Sequence, residues 1–143
     1  MNRINLITLG VRDMETSLKF YRDGLGFSTI VKEEAPAIVF FNNGGSKLAL
    51  YPLEELSKDI NEQEPPVGSG FPGFTQAYNA KSADEVDRIM EKVEQAGGKI
   101  VKKPQRVFWG GYSGYFTDPD GFYWEVAYGE TWEFDENDML VIK

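Results

Sequence analysis

The 143-residue chain contains no histidine and no cysteine. Without cysteine there is no disulfide and no thiolate chemistry. Without histidine there can be no histidine-based zinc or nickel site, and no pairing of two histidines with a carboxylate around non-haem iron. Basic residues are also scarce. Fifteen Lys and Arg against 23 Asp and Glu leave a formal charge of -8, which disfavours nucleic acid and anionic membranes as partners and favours neutral or cationic ligands. No apolar run reaches membrane length, and Met1 leads into a strand pattern with no signal peptide, so the cytoplasm is the expected compartment. What is present is 41% hydrophobic residues and a length near that of an ordinary domain, so a single domain over residues 1–143 is expected.

Aromatic residues concentrate between Val107 and Val126. Within that stretch Asp118, Pro119, Asp120 and Gly121 spell a tight turn, because Pro119 presets φ and Gly121 accepts a positive one. The flanking runs should therefore fold back as antiparallel strands. Alternation puts Tyr123, Glu125 and Ala127 on one face and Phe122, Trp124 and Val126 on the other. A carboxylate between aromatic neighbours on a strand needs water or a partner, which makes Glu125 the first residue to question.

The chain also repeats a plan. Residues 5–11 read as a strand, Asp13 as a helix N-cap, and Met14, Leu18, Tyr21 and Leu25 as an apolar helical stripe stopped by Gly26. Residues 27–31, 37–41 and 47–51 read as three strands, the last two joined by an Asn-Asn-Gly-Gly hairpin signal. The same order recurs in residues 74–128: a strand over 74–80, Ser82 as cap and Glu85 completing a capping box. Val86, Ile89, Met90 and Val93 then form the stripe, Gly97 and Gly98 the stop, and residues 99–101, 107–116 and 122–127 the strands. The chain is thus expected to be α+β, two βαβββ modules over 1–52 and 74–128 arising from internal duplication. The Pro- and Gly-rich connection over 53–73, with one helical turn at its start, reads as either a linker or a lid. The acidic tail over 129–143 docks as an extra strand or packs on a partner subunit, and the sequence does not choose.

Each conspicuous residue has a plain reading beside the sharp one. Glu125 is either a general base or polar anchor, or a carboxylate satisfied by an ion pair. Gly110, Gly111 and Gly114 suggest a phosphate cradle only superficially; without a following Lys and Ser/Thr at a helix start, a bent, bulged strand is expected. Trp109, Tyr112, Tyr115 and Tyr123 divide by alternation between the sheet's covered side and a ligand-facing side. Phe20 and Tyr21 are expected in the core, and Lys58, Asp59, Glu62 and Glu64 on a solvated loop.

Paired βαβββ modules, a Leu-Gly-Val-Arg-Asp opening at residues 9–13 and an Asp-Pro-Asp-Gly-x-x-x-Glu close at residues 118–125 resemble the vicinal oxygen chelate superfamily. It includes glyoxalase I, bleomycin resistance proteins, fosfomycin resistance enzymes and extradiol dioxygenases. The resemblance implies that each module curls into an incomplete barrel around a cleft, that the protein is a homodimer, and that Glu125 matches the terminal glutamate ligand of metal-dependent members. The other ligand positions fall on Leu6, Ala49 and Thr75, none a strong ligand, and a one-residue slip turns the side chain to the opposite face. No metal and no cofactor are therefore expected.

The favoured expectation is a glyoxalase/bleomycin resistance-like protein that binds a small apolar or aromatic, neutral or cationic molecule in an aromatic cleft. Glu125 would be the anchor and Trp109, Tyr112 and Tyr123 the walls. The alternative is a lyase or isomerase using Glu125 as general base, with Tyr112 or Tyr123 as electrophilic partner.

Overall fold

Both helix starts read from the sequence form as expected. The Asp13 side chain accepts a hydrogen bond from the Thr16 backbone N–H at 2.8 Å, and the Ser82 hydroxyl accepts one from the Glu85 N–H at 3.1 Å. In the computed structural model, which describes every residue except Arg3, the chain divides into two compact units, Met1–Gly73 and Phe74–Lys143. Each unit has a mixed α+β composition and an open sheet.

In the first unit β1 (Leu6–Val11) lies parallel to β3 (Lys47–Pro52), and β2 (Val39–Phe40) pairs antiparallel on the other side of β3. One face of this sheet buries Leu9, Val11, Val39, Leu48 and Leu50. The covering segment begins with α1 (Met14–Leu18), which widens into a π-helical turn at Lys19–Gly24. An α-helix turns consecutive side chains well apart, whereas Phe20 and Tyr21 are both buried, their rings edge to face at 5.1 Å. The wider turn lets these neighbours share the core side.

The expected strand over 27–31 does not form. Its place beside β2 is held by a single backbone bond, Asn42 N–H to Ser28 C=O. The Thr29 hydroxyl donates to the Phe40 carbonyl that a ladder N–H would have used; this is side-chain competition for a backbone acceptor. Arg22 then draws the segment onward by donating to the Val31 and Glu33 carbonyls. The connection after β3 is more ordered than one turn: α2 spans Leu53–Ile60, and Gly10 lets Leu53 approach where a Cβ would meet its Cδ1 at 2.6 Å.

The second unit keeps four strands in the order β4-β7-β6-β5: β4 (Gln76–Ala80), β7 (Tyr123–Gly129), β6 (Gly111–Thr117) and β5 (Lys99–Arg106). Here too the first and last strands are parallel, so β7 occupies in its sheet the place that β3 occupies in the first. The helix α3 (Ala83–Gln95) buries Val86, Met90 and Val93. On the sheet's helix side Phe116 and Trp124 stack at 5.9 Å with planes 4° apart, and Val126 is fully buried. Two strand limits differ from expectation. β5 runs on to Arg106, and β6 starts only at Gly111 because residues 107–110 make the hairpin turn, with Gly110 at φ 89°. The predicted bulge lies in β5, on either side of Lys102. Gly114 is where β5 comes closest: a Cβ there would stand 2.8 Å from the Lys102 carbonyl oxygen.

The tail adds no strand to the sheet. Phe134 and Leu140 form a bridge of their own, so residues 133–141 fold back on themselves. Lys81 ties this hairpin to the unit through an ion pair with Asp138 and lies over the Phe134 ring.

Candidate functional site

The register of the second sheet sorts its side chains. Tyr115 pairs with Glu125 and Glu125 with Ala77; one row over, Ser113 pairs with Ala127 and Ala127 with Asn79. Paired residues share a face, so Glu125, Tyr115, Tyr123, Ser113 and Ala127 lie together on the side away from α3. Lys102 of β5 joins the Tyr115–Glu125 row.

At the centre of that face Glu125 is half-buried, directly opposite Tyr115 across β6 and β7. Desolvation first, then the neighbouring Glu125 charge, raises the Tyr115 phenol above its usual value. The hydroxyl therefore stays protonated beside the carboxylate.

Four residues further along β7, roughly 13 Å at the usual rise of a strand, Gly129 pairs with Gly111 of β6. Both positions belong to the same face, and both are covered by indoles. A Cβ at Gly111 would fall 1.8 Å from the Trp109 ring, and one at Gly129 would fall 2.6 Å from that of Trp132. The two rings stack with centroids 5.5 Å apart and planes 15° apart. Trp109 remains partly open to solvent.

Of the residues singled out in the sequence, the fold brings Glu125 and Tyr123 side by side and puts Trp109 on the same face. Tyr112 goes elsewhere. It pairs with Tyr128, and its hydroxyl donates to Asp87 of α3 at 2.7 Å, so it cannot wall a site around Glu125. The register of the hairpin explains the change: Thr117 pairs with Tyr123 across the 118–121 turn, so Tyr115 falls opposite Glu125 and Tyr112, three residues earlier, faces the helix. Trp132 was missed because the tail shows no periodicity that ties it to the sheet; the one available signal is the Gly129 position opposite Gly111.

The donors around Glu125 do not fit a transition metal. Its β4 neighbour Ala77 has no donor, and Gln76, the slipped alternative to Thr75, pairs with Trp124 on the helix side. In the first unit Leu6 and Ala49 carry none. Among the described residues no group of three or more His, Cys, Asp and Glu side chains is close enough to share an ion. One carboxylate with hydroxyls falls short of the ligand sets that hold zinc, nickel or iron.

A separate hollow of 340 Å³ lies in the first unit, lined by Arg22, Asp23, Phe27, Ser28, Thr29, Val31 and Lys32. It is made by the irregular segment after the π-helical turn. Arg22 is already held there by Asp23 and two carbonyls, which leaves the Glu125 face as the better candidate. No helix among the described residues is long and apolar enough to cross a membrane.

Comparison with known proteins agrees with this architecture. A crystal structure of a glyoxalase-related enzyme from Fulvimarina pelagi superposes with a TM-score of 0.88 at 30% identity, covering 99% of both chains. That of lactoylglutathione lyase from Agrobacterium tumefaciens gives 0.68 at 30% identity, over 94% of this chain and 98% of that one. The metallothiol transferase FosB of Lysinibacillus sphaericus is 32% identical over 126 residues, 88% of this chain and 82% of its own length. The family model for the Glyoxalase/Bleomycin resistance protein/Dioxygenase superfamily matches residues 3–126. The chain belongs to that superfamily.

Proposed function

We propose that the protein binds a small molecule with an apolar or aromatic body and a neutral or cationic hydrogen-bonding group, on the face of the second sheet that carries Glu125. The observation that supports this most is the Glu125 carboxylate, half-buried on the sheet face away from α3 and opposite Tyr115. Tyr123 and Trp109 supply walls. The formal charge of -8 favours the same sign of ligand. Relatives bearing the names of a thiol transferase and a lyase support a small-molecule role, and the donor set argues that binding here needs no metal. The active form is proposed to be a homodimer, because each open sheet leaves two strands with unpaired edges.

The cross-strand pairing of Tyr115 with Glu125 also favours a second reading, a lyase or isomerase step. Glu125 would take a proton from carbon as general base while protonated Tyr115 stabilises the developing oxyanion. One substitution separates the two readings. Ligands found by thermal-shift screening should be neutral or cationic and should bind Glu125→Gln about tenfold more weakly, as expected for a lost charge-assisted hydrogen bond. Equal binding to Glu125→Gln, or hits that are all anions, overturns the anchor role. Retained binding with abolished turnover establishes the catalytic reading instead.

A further inference from the structure

We propose that Asn43 is a site of spontaneous deamidation gated by the β2–β3 hairpin: its side-chain amide is locked while the loop is folded and reacts with the Gly44 backbone nitrogen when the loop opens. The site lies in the first unit and does not depend on the ligand proposed for the Glu125 face.

Asn43-Gly44 is the one Asn-Gly step in the sequence; every other asparagine precedes a residue that carries a side chain. With no Cβ on the following residue, the backbone nitrogen approaches the asparagine Cγ with least obstruction, and the chain is free to take the conformation the attack requires. Water is the sole co-reactant. The Gly44 nitrogen, having given its proton to solvent base, bonds to Cγ of Asn43; the Cγ–Nδ2 bond breaks and ammonia leaves with a proton taken from water. Water then opens the resulting succinimide at either carbonyl. One opening gives aspartate, the other isoaspartate, in which the main chain runs through the former side-chain carbon. Nothing is oxidised or reduced.

The folded loop holds this reaction back. Asn43 Nδ2 donates to the Gly44 carbonyl at 2.9 Å and to the Ser46 carbonyl at 2.7 Å, and Oδ1 accepts from the Leu48 N–H at 3.0 Å. Cγ turns toward the Gly44 nitrogen only by releasing these bonds. The side chain also takes the place of a ladder acceptor: the Phe41 N–H donates to the Leu48 carbonyl at 2.9 Å, but the Leu48 N–H goes to Asn43 Oδ1 instead of returning to Phe41. The strand β2 accordingly stops at Phe40. Lys47, donating to the Asn43 carbonyl, and the Ser46 hydroxyl, donating to the Ile4 carbonyl, fasten the loop further.

Against this lock stands a short hairpin. β2 has two residues, and Asn42, Gly44 and Gly45 are exposed, the kind of element that opens locally below the free energy of global unfolding. Reaction then damages what it passes through. Aspartate lacks the Nδ2 donors and turns a carboxylate toward the Gly44 and Ser46 carbonyls; isoaspartate lengthens the main chain between Phe41 and Leu48 and displaces their pairing. Leu48, Ala49 and Leu50 of β3 are buried directly behind the loop, so the modified chain is less stable, and the modification records that a molecule has opened.

The test incubates the full chain in mildly alkaline buffer at urea concentrations from zero to beyond unfolding. Peptide mass spectrometry and isoaspartate-specific methylation follow the segment that holds Asn43. Conversion should be at least about tenfold slower in the native chain than in the unfolded one, because the reactive form is confined to the open population. It should rise with urea before the global transition seen by circular dichroism. Gly44→Ala should slow it in both states, and Asn43→Asp should lower the melting temperature. Equal rates in native and unfolded chain overturn the lock, and a rate that follows global unfolding alone overturns the hairpin gate. Conversion that Gly44→Ala leaves unchanged belongs to another residue and overturns the site; an Asn43→Asp variant as stable as wild type overturns the loss of stability.

Discussion

At the residue scale the site is defined by one pair, Tyr115 opposite Glu125. Tyr115 is raised above its ordinary value of 10.0, most by desolvation and then by the charge of Glu125. A raised phenol means that the folded state holds its proton more tightly. The stability this contributes is complete below the ordinary value and is lost as pH rises through the raised one. Glu125→Gln should therefore bring the Tyr115 titration down in pH while leaving it above 10.0, because desolvation remains, and the alkaline loss of stability should shrink with it. Phenolate absorbance titrations of wild type and Glu125→Gln, each corrected with Tyr115→Phe, measure this directly; an unmoved titration would show that the two side chains do not interact. Tyr112 makes the contrast. Its phenol is also raised, but chiefly by the hydrogen bond to Asp87 on the helix side, so Glu125→Gln should leave it alone.

At the element scale α3 sets the geometry, since its burial of Val86, Met90 and Val93 decides which face of the second sheet packs on the helix and which carries Glu125. Its N-terminus departs from the expected capping box in one detail. Ser82 accepts from Glu85 N–H, but the Glu85 carboxylate reaches past the cap to accept from Lys81 N–H at 2.7 Å and from the Tyr78 hydroxyl at 2.9 Å. Burial first, and then this bond to Glu85, pushes the Tyr78 phenol up to about 12. Glu85 thus links strand, cap and helix. Ser82→Ala should cost about 1 kcal/mol of stability in urea unfolding, the usual value of an N-cap. A variant indistinguishable from wild type would mean that the Glu85 network alone holds the helix start.

For the whole molecule, the donor set and the open sheets give joint expectations. With one carboxylate and no histidine or cysteine at the presumed ligand positions, chelation should not change the melting temperature, because stability cannot depend on an ion the residues do not hold. Light scattering should give the mass of two chains, with and without chelator. A single-chain mass at micromolar concentration counts against the dimer, and a chelator-induced fall in melting temperature with about one metal per chain counts against the metal-free reading. The shared plan of the two units is visible at this scale too: in each, the first strand runs parallel to the last.

Strand and helix periodicity, the caps at Asp13 and Ser82 and the turn at 118–121 depend on residues close in sequence, so both capped helices, the strands of the second half and the face of Glu125 were legible in the chain. The absence of histidine and cysteine likewise settled by composition which ligand sets are impossible. What depended on partners distant in sequence was not legible. Thr29 captures a carbonyl of β2, and Arg22 two carbonyls of the segment that follows, so residues 27–31 never join the ladder. The start of β6 rests on where the β5–β6 hairpin turns, whereas the β6–β7 register, which puts Tyr115 and not Tyr112 opposite Glu125, is set at the 118–121 turn. Trp132 reaches the sheet only because a tail hairpin is tied back by Lys81 and because two glycines, 18 residues apart in sequence, face each other across β6 and β7. Local patterning determines which way a side chain points along its own strand; which side chains meet across strands is decided by register, a property of the assembled sheet.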